Sequence, residues 1–199
     1  MLRIVLTGPE STGKTTLARQ LAAHFNVGFA AEFAREYLEK KLKEQQTVEN
    51  TPSKPLYDKL SLNEIYAGQI QNELTLLDKT LHRKALPLLI SDTDCITIKI
   101  WSEEVFKNTN RQLLAKIERR ISQLSDPNLT TSVYLLCSPE GIEWQPDRLR
   151  ENPNDRDRLF NIYLKNLSFY DQSYFILRGG KEQRFAEAVK IIKRLLKNE

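Results

Sequence analysis

The sequence predicts a three-layer α/β/α fold around a five-stranded parallel sheet. Short apolar runs alternate along the chain with longer segments of helical periodicity, which is the pattern of doubly wound α/β proteins. The first apolar run, residues 2–7, leads directly into the glycine-containing stretch Gly8–Thr15 and then into a helical pattern. Strand, glycine loop and helix in this order indicate a nucleotide-binding member of that class.

The composition is typical of a soluble globular protein, since 40% of the 199 residues are hydrophobic and 28% are charged. We find no internal repeat and no linker, so we expect a single domain over residues 1–199. No membrane-length apolar run and no targeting segment are present, which favours a cytoplasmic protein. The net charge of +4 is small, and we expect neither nucleic acid nor a membrane as a partner. The sequence leaves the oligomeric state open.

The predicted strands are short apolar runs, and residues 86–92 are apolar enough for a central strand of a parallel sheet. Two of the runs contain or adjoin Cys95 and Cys137, which we predict to be buried thiols rather than a disulfide. The five predicted strands cover residues 2–7, 27–31, 86–92, 132–137 and 174–177.

The helices follow from apolar residues at helical spacing and from capping signals. Ser61 and Glu64 have the spacing of a capping box near the start of a long helix. Asn154 is predicted to cap a later helix that has acidic residues in its first turn. The predicted helices cover residues 13–24, 32–43, 61–83, 94–106 and 110–125, a segment after 154, and 181–197. Residues 44–55 and 138–154 are predicted loops, and Gly179–Gly180 a turn.

The stretch Gly8–Thr15 reads G-x-x-x-x-G-K-T, the phosphate-binding P-loop. Triphosphate oxygens need several backbone N–H groups in one concavity, and a helix N-terminus adds partial positive charge behind them. Lys14 then reaches the β- and γ-phosphates, and the Thr15 hydroxyl ligates Mg²⁺. The alternative is an ordinary glycine-rich turn before a helix. The predicted ATP-binding residues are Gly8, Glu10, Ser11, Thr12, Gly13, Lys14, Thr15 and Thr16.

Asp92 ends the third predicted strand, where P-loop proteins place the carboxylate that positions Mg²⁺. The alternative is that Asp92 caps the next helix. Asp94, two residues later, is a candidate for sharing the metal or contacting substrate. Thr93 stands where ATP-hydrolysing motors often have a glutamate, and the chain lacks N-K-x-D. Both absences favour transfer to a bound acceptor over hydrolysis.

Glu32 follows the second predicted strand, so its carboxylate is expected to face the γ-phosphate across the cleft. There it would accept a proton from an acceptor hydroxyl as a catalytic base, with Asp94 as second choice. The alternative is a first-turn glutamate that only stabilises a helix. For Arg35 and Glu36, a surface ion pair competes with a functional role.

The predicted loop over residues 138–154 carries arginines that would close over a triphosphate as a lid and neutralise charge in transfer. Arg148 and Arg150 are the first candidates and Arg156 is next. The alternative is a charged loop exposed to solvent. Trp144, beside these arginines, is a candidate ligand contact.

The blocks G-P-E-S-T-G-K-T-T-L-A, E-F-A-R-E-Y-L, I-S-D-T-D, K-I-W-S-E and W-x-P-D-x-L-R-E-N-P occur in this order. From residue 2 to about 195, the chain closely resembles the ribosylnicotinamide kinase domain of a bifunctional NAD-salvage protein family. The resemblance implies a P-loop kinase that uses ATP and Mg²⁺ to phosphorylate the 5′-hydroxyl of nicotinamide riboside. It also implies that Glu32, Arg35, Tyr37 and Asp94 line the riboside site.

The chain departs from this family in two respects. It has histidines only at positions 24 and 82, so the H-x-G-H signature of the adenylyl-transfer domain is absent. Ala31 stands where some relatives have an aromatic that stacks on the nicotinamide ring, and Phe29, Phe33 or Trp101 is a possible replacement. A kinase for another small nucleoside and a regulatory P-loop ATPase therefore remain as alternative functions.

Overall fold

A computed structural model shows one sheet of five parallel strands between two layers of helices. It describes residues 1–46, 59–82, 86–106, 110–124, 130–146 and 154–197. The strands are β1 (Leu2–Thr7), β2 (Phe29–Ala30), β3 (Leu88–Asp92), β4 (Thr131–Cys137) and β5 (Ser173–Leu177). The helices are α1 (Lys14–Phe25), α2 (Phe33–Gln46), α3 (Lys59–Leu81), α4 (Cys95–Phe106), α5 (Arg111–Leu124), α6 (Arg156–Phe169) and α7 (Lys181–Leu195). The predicted fold class is confirmed.

The register of the sheet determines which loops meet. The strand order is β2-β3-β1-β4-β5, so β1 lies in the middle. Leu6 pairs with Asp92 of β3 and with Leu135 of β4. Because parallel strands have their carboxyl ends at the same edge, the glycine loop after β1 emerges beside Asp92.

Alternation along β1 sends side chains into two cores. Leu2, Ile4 and Leu6 pack toward α1 and α7. Val5 packs on the other face, in a core that includes residues of α3, α4, α5 and α6. All four of these β1 residues are almost fully buried, as expected for a central parallel strand.

Some boundaries differ from those predicted. The edge strand β2 has only two residues, preceded by Gly28, and glycine weakens strands because it has no side chain to pack. Helix α2 extends to Gln46, so the predicted loop over 44–55 starts later, and its remainder lies outside the described residues. Asp155, not Asn154, occupies the N-cap position of α6. No helix in the described ranges is long and apolar enough to cross a membrane.

Gly8 brings the glycine loop against the end of β4. It has φ 129°, and a Cβ built on it would lie 2.6 Å from the Cys137 carbonyl oxygen. Gly13 also has a positive φ, 81°, but a Cβ there would meet nothing within 4 Å. Backbone conformation therefore requires glycine at both positions, and close packing requires it only at Gly8.

We expect Gly8→Ala to destabilise the protein by about 3 kcal/mol, because it combines an unfavourable φ with a clash against backbone. Gly13→Ala is the matched control and should cost about 1 kcal/mol, since only the conformational penalty applies. Chemical denaturation of the ligand-free variants measures both. Equal losses would contradict the close approach of Gly8 to β4.

Candidate active site

A cleft of about 240 Å³ opens at the carboxyl-terminal edge of the sheet. The glycine loop forms one wall, and residues from the start of α2, from α3 and from α4 form the other. Of the predicted site residues, those that line it are Gly8, Glu10, Ser11, Thr12, Gly13, Lys14, Thr15, Thr16, Glu32, Arg35 and Trp101. The structure thus brings the predicted ATP-binding loop and most of the predicted acceptor residues into one cleft.

The glycine loop is held by its own side chains. The Thr12 hydroxyl donates to the Pro9 carbonyl at 2.9 Å. The Lys14 ammonium donates to the carbonyls of Gly8 at 2.9 Å and Pro9 at 2.7 Å. Gly13 occupies the N-cap position of α1 in a left-handed conformation, so the helix begins directly beneath the loop. A helix N-terminus inside a preformed loop is a favourable site for phosphate.

Asp92 is a fully buried carboxylate beside this loop. Neither of its oxygens has a hydrogen-bond partner of good geometry among the described residues. Burial raises the pKa of Asp92, and the nearby Thr15 hydroxyl and Lys14 ammonium oppose the rise. An unpaired buried carboxylate next to a threonine hydroxyl suits a hard divalent cation, because both supply oxygen ligands. The residues therefore fit Mg²⁺ held by Thr15 and Asp92.

Glu32 lies between β2 and α2, half-buried in the cleft wall. Burial, followed by the charge of Asp92, raises the pKa of Glu32 to about 7, while Lys14 and Arg35 act in the opposite direction. A carboxylate with a raised pKa near the working pH is suited to accept and release a proton.

Asp94 does not line the cleft, contrary to its predicted contact with metal or substrate. It is fully buried, and its carboxylate accepts bonds from the Ile96 backbone N–H at 3.0 Å, the Tyr134 hydroxyl at 2.6 Å and Arg3 at 3.4 Å. Arg3 also pairs with Glu73 of α3 at 3.0 Å. Asp94 thus caps α4 and belongs to a buried network between strands and helices. Protonating its carboxylate during catalysis would break buried charge-assisted hydrogen bonds and destabilise the fold.

Tyr37 also lies outside the residues that line the cleft. Its hydroxyl donates to the Glu64 carboxylate of α3 at 2.6 Å. Burial and this hydrogen bond raise its pKa. The contact joins α2 to α3, so Tyr37 supports the cleft wall and is not part of its lining.

Arg35 and Trp101 do line the cleft, and Arg35 pairs with Glu39 at 3.4 Å. Around them, the wall includes residues that the sequence motifs do not single out, because no local pattern marks them. Gln69 accepts a bond from the Phe33 backbone N–H at 2.9 Å, and Tyr163 comes from α6. The apolar members of this wall are Leu38, Ile65, Ile98, Ile100 and Leu159.

The predicted lid arginines Arg148 and Arg150 lie outside the described residues. The segment before them contacts the glycine loop, since the Gln145 backbone N–H donates to the Ser11 hydroxyl at 2.8 Å. Arg156, at the start of α6, donates to the Ile142 carbonyl at 3.0 Å and lies 5.8 Å from the centre of the Trp144 ring. The base of the predicted lid is therefore attached to the P-loop.

Glu32→Gln should stabilise the ligand-free protein at pH 8 by on the order of 1 kcal/mol, after allowance for its partial exposure, and should have little effect at about pH 4, below the ordinary pKa of the carboxyl group. The pKa of Glu32 is higher in the folded state than its ordinary value of 4.5. The charged form therefore opposes folding, and stability is lost as pH rises from about 4.5 through about 7. Thermal unfolding at the two pH values measures the difference. Glu36→Gln, at an exposed position in the first turn of α2, is the control; an equal gain there would contradict the role given to the burial of Glu32.

The comparisons with known proteins agree with this geometry. A crystal structure of NadR protein in complex with NR is 18% identical, with a TM-score of 0.61, and the match covers 98% of this chain and 49% of that one. A NadR structure with NAD and AMP-PNP gives 19% identity and a TM-score of 0.57, with 96% and 48% covered. The chain thus spans about half the length of the NadR proteins.

Deoxyadenosine kinase from M. mycoides with bound dATP is 10% identical, with a TM-score of 0.54, and the match covers 96% of this chain and 99% of that one. These likenesses show that the chain shares the fold of these proteins. No curated protein sequence matches the chain. The family model described as "AAA domain" matches residues 3–184. The chain therefore belongs to the AAA domain family of P-loop proteins.

Proposed function

We propose that the protein transfers the γ-phosphoryl group of ATP to the 5′-hydroxyl of nicotinamide riboside, giving nicotinamide mononucleotide and ADP. The observation that carries the proposal is the position of Glu32 in the same cleft as the P-loop, next to the unpaired carboxylate of Asp92. A cleft with a phosphate loop at one wall and a proton acceptor at the other suits phosphoryl transfer to a hydroxyl.

In this mechanism, the loop from Gly8 to Thr15 binds the triphosphate through backbone N–H groups. Lys14 releases its loop carbonyls and reaches the β- and γ-phosphates. Thr15 and Asp92 hold Mg²⁺, which when bound offsets the negative charge of the phosphates. Glu32 accepts the proton of the attacking hydroxyl as the new oxygen–phosphorus bond forms and the bond to the β-phosphate oxygen breaks. Arg148 and Arg150 are proposed to cover the transferring group.

The acceptor is proposed to occupy the half of the cleft that contains Arg35, Trp101 and the apolar wall. The Trp101 ring offers a surface on which a planar base stacks. The NadR structure with NR supports nicotinamide riboside as the acceptor, and the deoxyadenosine kinase structure supports a deoxynucleoside as the second candidate.

The proposal is tested by measuring ADP formation from MgATP with nicotinamide riboside, deoxyadenosine, deoxycytidine or uridine, and without acceptor. We expect nicotinamide riboside to give the highest kcat/KM, by at least about tenfold over any other acceptor, because the loss of one fitted contact with the acceptor commonly costs an enzyme that factor. Removing Mg²⁺ with a chelator should abolish turnover. A preference for a deoxynucleoside would support the second candidate, and a rate indifferent to every acceptor would contradict kinase activity.

Glu32→Gln should lower kcat by about 10²- to 10⁴-fold, the usual contribution of a positioned base, with KM for ATP changed by no more than about threefold. The amide keeps the size of the side chain but does not accept the proton. Steady-state kinetics separates the two constants. Glu36→Gln is again the control, and an unchanged kcat in Glu32→Gln would mean that Glu32 is not the base.

A further inference from the structure

Arg184 is a buried cation beneath the P-loop that the proposed mechanism does not use. It lies in the first turn of α7 and is 2% exposed. Its guanidinium donates to four backbone carbonyls: Gly179 at 2.7 Å, Thr12 at 2.9 Å, Ser138 at 2.7 Å and Glu140 at 2.7 Å. These carbonyls belong to the P-loop, to the segment after β4 and to the turn after β5.

The three segments also touch through their backbones. A Cβ built on Gly141 would lie 3.0 Å from Gly179, and one on Gly8 would lie 2.6 Å from the Cys137 carbonyl oxygen. The Ser138 backbone N–H donates to the Leu177 carbonyl at 3.0 Å. Arg184 therefore joins three segments that already lie in backbone contact, and its planar fork fixes the direction of their carbonyls.

The bond from Arg184 to Thr12 determines the direction of a backbone donor. In a planar trans peptide, the carbonyl of one residue and the N–H of the next point in opposite directions. With the Thr12 carbonyl held toward Arg184, the Gly13 N–H points the opposite way. Gly13 lines the cleft at the N-terminus of α1, where phosphate oxygens are bound by such groups.

The charge of Arg184 lies close to the P-loop. Among the described residues no carboxylate forms an ion pair with Arg184; the Glu140 carboxylate, which pairs with Arg178 at 2.7 Å, acts on it only at longer range. The buried guanidinium is stabilised here mainly by carbonyl dipoles. Burial accordingly lowers its pKa. A triphosphate bound to the P-loop would supply the opposite charge.

We propose that Arg184 is a positioning residue for the nucleotide. It holds the Thr12–Gly13 peptide so that the Gly13 N–H faces the triphosphate, and its positive charge adds to the attraction for the phosphates. The inference rests on the proposed function only in taking a nucleoside triphosphate as the ligand of the P-loop.

The test compares Arg184→Met and Arg184→Lys with Arg194→Met, which removes an exposed arginine near the other end of α7. We expect Arg184→Met to raise KM for ATP by at least about tenfold, with kcat and KM for the acceptor within about threefold of wild type, because the loss concerns phosphate binding. Arg184→Lys keeps the charge without the fork, so its KM for ATP should fall between those of wild type and Arg184→Met. Arg194→Met should leave all three constants unchanged.

A thermal shift with magnesium and inorganic tripolyphosphate, which lacks a base, identifies the part of the nucleotide concerned. The Arg184 variants should lose affinity for tripolyphosphate by the same factor as for ATP. If Arg184→Met does not fold, Gly141→Ala provides the second test: it leaves Arg184 in place, separates its carbonyl partners and should also raise KM for ATP.

Folded Arg184 or Gly141 variants with a lower melting temperature but wild-type affinity for ATP and tripolyphosphate would overturn the inference and leave the proposed function intact. A wild-type protein that binds neither ligand would overturn both.

Discussion

The site depends on two carboxylates, one fully buried and one half-buried, whose charges lie close enough to act on each other. Asp92 is fully buried without a hydrogen-bond partner of good geometry among the described residues, and Glu32 shares the cleft wall. Burial raises the pKa of both carboxyl groups, and the charge of Asp92 raises the pKa of Glu32 further. The ligand-free protein is thereby destabilised, and a bound cation would relieve that cost. Functional sites commonly contain groups that lower the stability of the folded protein in this way.

The rest of the molecule holds this edge rigid. On the β3 side, the Asp94 carboxylate fixes the start of α4 by accepting bonds from the Ile96 backbone N–H, the Tyr134 hydroxyl and Arg3. Between the two aspartates, Thr93 has φ 65°, a conformation that is unfavourable for a β-branched residue and that its neighbours must maintain. On the opposite side, Arg184 holds the P-loop against the segments that follow β4 and β5. Two separate hydrogen-bond networks, one around Asp94 and one around Arg184, therefore hold the two sides of the cleft.

The fold class and the P-loop were accessible from sequence because both depend on local patterns: apolar runs, helical periodicity and fixed glycine spacing. Glu32 and Asp92 stand at the ends of predicted strands, and because parallel strands end at one edge, the sequence could place both beside the P-loop. The contacts of Asp94 and Tyr37 could not be predicted, since no local pattern indicates that Asp94 bonds to Tyr134, 40 positions away, or that Tyr37 bonds to Glu64. Arg184 shows the same limit: the carbonyls of Thr12, Ser138 and Glu140 come from distant segments, and a lone arginine in a basic helix carries no signal.

We propose that the γ-phosphoryl group leaves ATP for a hydroxyl and not for water. Phosphorus-31 NMR of the protein with MgATP and excess nicotinamide riboside follows that group directly. We expect a phosphomonoester resonance, coupled to the 5′-methylene protons, to grow in an amount equal to the ADP formed. Inorganic phosphate in that amount, with no phosphomonoester, would contradict it.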